Sequence, residues 1–139
     1  MNKDRILEVA RVIEQAAFKE LEEKLDSRVS FDMRWEINEE DSCGTMMCIA
    51  GFAAAMYTSK EQLQELCTYA AAVEGPVPIP RHERIWRHAA QLLDLTEDQA
   101  LELFYPSRVG DYEKITSADA ARTLRHLAES EEVYWGVDP

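Results

Sequence analysis

Residues 44–57, GTMMCIAGFAAAMY, carry no charge in a chain where three residues in ten are Asp, Glu, Lys or Arg. A segment this apolar belongs in an interior, and the rest of the chain must be arranged to cover it. Read as a helix, it places Gly44, Cys48, Gly51 and Ala55 at steps of four, three and four. That stripe of small residues lets a neighbouring helix come close. Met46, Ile49, Phe52, Ala53 and Met56 fall on the remaining faces, so the segment is apolar nearly all round and is expected to be a central buried helix. Its apolar run, Met46 to Tyr57, is well short of the ~20 residues that cross a bilayer, and no membrane association is expected.

Other segments supply the cover. Ile6, Val9, Ala10, Ile13, Ala17, Leu21 and Leu25 recur at three-and-four spacing, which predicts one helix across residues 3–26. Val29, Phe31, Met33 and Trp35 alternate, which suits a short extended piece at 29–35 with an aromatic-bearing face on the core. Ser59 followed by Gln62, and Thr96 followed by Gln99, have the form of capping boxes and predict helix starts; Thr116 is the expected N-cap of the last helix. EGPVPIP, with three prolines and a glycine, breaks the chain between the third helix and the fourth. Val133 and Trp135 are expected to fold back onto the bundle. The sum is mainly α: a single compact domain of about six helices over residues 1–139 around the central buried helix at 44–57.

Charge narrows the functions. With 27 acidic and 15 basic residues the net charge is −12, so generic binding to phosphate backbones is unfavourable and nucleic acid is not an expected partner. The N-terminus has charges spaced through it and no signal-peptide core, and the chain has three cysteines, an odd number that suits a reducing compartment; a cytoplasmic protein is expected.

Two groups of residues are candidates for a site. Cys43 stands where the central helix is expected to begin, and exposed helical amides there would favour a thiolate, with Thr45 and the same amides placed to stabilise an oxyanion. On a regular helix Cys43 and Cys48 are about 140° and ~8.5 Å apart, past the reach of a disulfide and unsuited to a shared metal. Cys67, His82, His88 and His126 lack the close pairing of structural zinc sites, and neither metal nor cofactor is expected. The second group is the basic patch RHERIWRH, in which Arg81, Arg84 and His88 lie within two turns and Trp86 offers an aromatic anchor. With Trp35 these are the candidate binding residues.

FDMRW, CGTMMCIAGFAA, AAQLLDLTEDQALELFYP and ITSADAARTLRHLAES together resemble a group of small bacterial and phage-encoded proteins that share F-D-M-x-x-W, C-G-T-x-x-C-I-A-G-x-A and L-x-L-T-x-x-Q-A-x-x-L-F segments. The resemblance covers residues 31 to about 130. It implies a shared helical fold and carries no activity with it. The leading expectation is therefore a non-catalytic acidic helical protein that binds another protein. Two alternatives are a thiol-dependent hydrolase or transferase using Cys43, and an acidic phage-type inhibitor of a nucleic-acid-binding protein.

Overall fold

The computed structural model describes residues 1–33, 38–40, 44–67, 81–106 and 112–136. Among these, seven α-helices and three short strands run in the order α1 (Lys3–Gln15), α2 (Lys19–Leu25), β1 (Val29–Phe31), β2 (Asn38–Glu40), β3 (Gly44–Met47), α3 (Ile49–Tyr57), α4 (Lys60–Cys67), α5 (Arg81–Leu93), α6 (Glu97–Phe104) and α7 (Ser117–Ser130). A single 3-10 turn, Tyr112–Lys114, precedes α7. The protein is mainly α, as its periodicity requires.

The central buried helix is present but starts later than expected. Gly44–Met47 is a strand, Cys48 is the N-cap, and the helix runs from Ile49 to Tyr57. The strand lies between β1, parallel to it with Val29 opposite Thr45, and β2, antiparallel with Glu39 opposite Thr45. Ladders on both sides satisfy the backbone of residues 44–47, and Gly44 and Thr45 are poor helix formers, so strand pairing wins there. From Ile49 onward no strand among the described residues pairs with the chain, and Ile49 through Ala55 are all buried. The helix touches α1, α4, α5 and α6 as well as β3. The expected extended segment is present as β1, whose Val29 is buried, while residues 34–37, Trp35 included, lie outside the described residues.

The long N-terminal helix is in fact two. Ala16 adopts a left-handed conformation (φ 51°), and the amides of Ala16 and Ala17 close back on the carbonyls of Ile13 and Val12. The chain then turns into α2, which leaves Ala17 exposed and brings Phe18 to within 5.2 Å of the Phe52 ring, centroid to centroid. Apolar periodicity continues across the break, but packing of half-buried Phe18 on Phe52 of α3 rewards the bend. Alanine is strained in this conformation, which glycine adopts freely. Ala16→Gly is therefore expected to raise stability by about 1 kcal/mol, read as a higher urea midpoint at unchanged slope.

Elsewhere local signals and structure agree. Thr96 and Thr116 each cap a helix with a reciprocal bond from the third helical residue, Gln99 and Asp119. Ser59 Oγ accepts from the amide of Gln62 at 3.2 Å. The face of α7 formed by Ala120, Ala121, Leu124, Leu127 and Ala128 is buried, and it packs on α1. A bidentate Arg125–Glu14 pair (2.5 and 2.8 Å) ties the outer edges of these two helices. The C-terminal segment returns to the bundle as expected, with Trp135 donating from Nε1 to the carbonyl of Glu102 at 2.9 Å. The buried apolar residues join in one core, with Phe52, Phe104, Met47, Ile49 and Ile85 among its largest members. No helix among the described residues is long and apolar enough to cross a membrane.

Candidate functional site

The expected site residues scatter. Cys43, like Trp35, lies outside the described residues. Thr45 is a central residue of β3, four positions before the first residue of α3. The amide donors expected beside Cys43 and Thr45 thus open at Ile49 instead, and the thiol at that helix start is Cys48, which is buried. The helical rotation that was expected to hold Cys43 and Cys48 apart does not operate either, because both precede the helix. Among the described residues no group of three or more His, Cys, Asp or Glu is placed to hold a metal ion.

The basic patch is divided by α5, which Arg81 opens. Trp86 points inward, 7% exposed, with its ring edge-on to Tyr105 (6.5 Å, 86°) and the Arg87 guanidinium 5.0 Å from its centroid. An indole held this way is a buried anchor between α5 and α6. Arg84 and His88, one turn apart, reach other parts of the fold. Arg84 Nη1 donates to the carbonyl of Glu65 in α4 at 3.3 Å. His88 Nε2 lies 2.8 Å from Oγ1 of Thr58, the buried C-cap of α3.

That end of α3 is a meeting point. The last carbonyls of a helix lack intrahelical donors, and a cation there is favoured by the helix dipole. Lys24, half-buried on α2, donates from Nζ to the carbonyl of Ala55 at 2.6 Å and also to that of Thr58. Burial pushes the Lys24 pKa below the ordinary lysine value, and Glu61 on α4 opposes this more weakly. Lys24 and His88 thus approach the same turn from α2 and α5.

Burial also holds the imidazole of His88 below its usual pKa. The folded state then binds the proton less readily than the unfolded chain. As pH falls from the unfolded value, ~6.5, toward the folded one, the unfolded chain protonates first and stability is lost; above that window the contribution is complete. Urea unfolding at pH 7.5 and 5.5 is expected to show a smaller acid loss in His88→Gln than in the parent. An equal loss in both would remove His88 from the acid response.

Beside the Lys24 junction a groove of about 460 Å³ opens between α1, α2 and the end of α3. Buried Val12 and Leu21 and half-buried Met56 give it an apolar floor, and Tyr57 stands at its wall. Glu8, Arg11, Lys19, Glu20 and Lys24 supply the charged lining. Glu8 and Arg11 are engaged with each other, the Arg11 Nε donating at 3.0 Å, and this bond lowers the Glu8 pKa and raises that of Arg11. The Arg5 guanidinium sits 4.7 Å from the Tyr57 ring centroid. Burial, aided by Glu8 and opposed by Arg5 and Arg11, raises the Tyr57 phenol pKa. None of these groove residues was a candidate by sequence. Lys24 sits beside the Leu21 and Leu25 stripe of α2, but its partners are 31 and 34 positions further along the chain.

No protein-family model, curated protein or solved structure matches the chain.

Proposed function

We propose that this chain is a non-catalytic, acidic helical protein that binds another protein, and that the groove between α1, α2 and the end of α3 is the contact face. The observation that supports this most is the groove's composition: an apolar floor of Val12, Leu21 and Met56, an aromatic wall and a rim carrying both signs of charge. An apolar centre enclosed by a polar rim is the usual anatomy of a protein contact, and tyrosine and arginine are enriched there. The floor is built on helices, so a partner meets a preformed shape and little ordering cost is added on binding.

Photo-crosslinking tests the location. A benzoylphenylalanine at position 19, on the rim, is expected to capture a defined protein, whereas the same probe at position 122, on exposed α7, is not. Once that protein is purified, Tyr57→Ala is expected to weaken the complex by about tenfold or more, the effect of truncating an interface aromatic. Equal capture at both positions, or capture at 122 alone, would move the contact face elsewhere.

A further inference from the structure

Charge within the groove says what kind of segment it suits. The chain as a whole carries 12 more acidic than basic residues. The groove reverses this balance, with Arg11, Lys19 and Lys24 against Glu8 and Glu20. Glu8 and Arg11 neutralise each other, which leaves Lys19 and Lys24 against Glu20 in the lining, with Glu61 of α4 acting on Lys24 from outside it. Lys24 is the more consequential of the two. An ammonium has three N–H donors, and among the described residues two of them find acceptors, the carbonyls of Ala55 and Thr58. Its desolvation is compensated only in part by Glu61. An anion arriving at the groove would meet a cation already held in place, next to an apolar floor.

We infer that the groove receives a segment of a partner protein in which a carboxylate side chain adjoins a bulky apolar one, the carboxylate going to Lys24 and Lys19 and the apolar group to the floor of Val12, Leu21 and Met56. This rests on the protein-binding reading of the groove and adds the chemistry of the partner. A carboxylate accepting from lysine makes a charge-assisted bond, roughly twice as strong as a neutral one, and the half-buried setting of Lys24 screens it less than open solvent would. Tyr57, neutral and stacked against Arg5, completes an amphipathic wall for the backbone of the segment.

Three blocked peptides, acetyl-Gly-Asp-Leu-Leu-Gly-amide and its Asn and Lys counterparts at the second position, test this by NMR titration. The Asp peptide is expected to shift the Met56 and Leu21 methyl signals, to bind about fivefold tighter than the Asn peptide, and to raise the Lys24 pKa. Its advantage should shrink in Lys24→Met and in Lys19→Gln, the second being an exposed rim substitution that leaves the fold intact. Asn or Lys peptides that bind the same methyls as tightly as Asp would overturn the carboxylate inference while leaving the groove as the contact face. Failure of all three to move any groove methyl would remove both. Octanoate, added as a free organic acid, is expected to compete weakly; octanoate that binds more tightly than the Asp peptide would overturn the assignment to a protein segment.

Discussion

Phe52→Ala is expected to cost about 3–5 kcal/mol, the largest effect of any single truncation described for this chain. The ring is fully buried in the middle of α3, tilted against Phe18 at 5.2 Å and Phe31 at 6.3 Å between centroids. It therefore joins three elements that the chain reaches separately: the start of α2, strand β1 and the central helix. Removing it leaves a void that rigid helices on several sides cannot close, so a cavity term adds to the lost transfer energy. Domains of this size are stable by roughly 5–15 kcal/mol, so the variant should sit near its unfolding threshold at room temperature. Leu101, 40% exposed on α6, provides the contrast: Leu101→Ala should change stability by no more than about 0.5 kcal/mol. Urea melts of the two variants measure the difference directly, and a loss of under 1 kcal/mol for Phe52→Ala would mean that α3 is not the centre of the core.

Lys24→Met should cost about 1–3 kcal/mol, although it replaces a charged side chain by an apolar one of similar length. The methionine keeps the packing of the stem and removes only the donors. The carbonyls of Ala55 and Thr58 at the end of α3 then lose the ammonium that serves them, and an acceptor left without its partner carries the desolvation penalty that the bond had offset. The opposing gain is release of the burial cost of the ammonium, the same cost that lowers the Lys24 pKa. The two bonds, both donated by the one charged ammonium, outweigh it. Chemical denaturation gives the magnitude. A variant as stable as the parent would show that water already serves these carbonyls, and the junction between α2 and α3 would be a surface contact without structural weight.

The elements that could be read from sequence are those in which local chemistry decides. The box at Thr96 and the cap at Thr116 form from residues three apart and need no help from the rest of the fold. The inward face of α7 and the alternation that becomes β1 are likewise set by spacing. Other features depend on groups far away in the chain. Nothing local announces that Ala16 turns left-handed, because the apolar period runs on through it; Phe18 reaching Phe52 is what the bend gains. Residues 44–47 and 49–57 are equally uncharged, so composition draws no boundary between them, and strand pairing to residues 29–31 and 38–40 supplies it. Trp86 was attractive as an exposed anchor because arginines and histidines flank it, yet its position in the α5 period places it inside. The groove is assembled from α1, α2 and α3, and Lys24 meets Ala55 and Thr58 only once all three are docked.

Ile49–Tyr57 forms the interior rod of the protein, closed at its C-terminal end by Lys24 and by the Thr58–His88 pair. Native-state amide hydrogen exchange reads this residue by residue. The amides of Ala53, Ala54 and Ala55 are expected to exchange only through global unfolding, with opening free energies equal to the stability measured in urea. Exchange of those three amides well ahead of the α1 and α7 core would contradict it, because the helix would then be opening while the rest of the protein stayed folded.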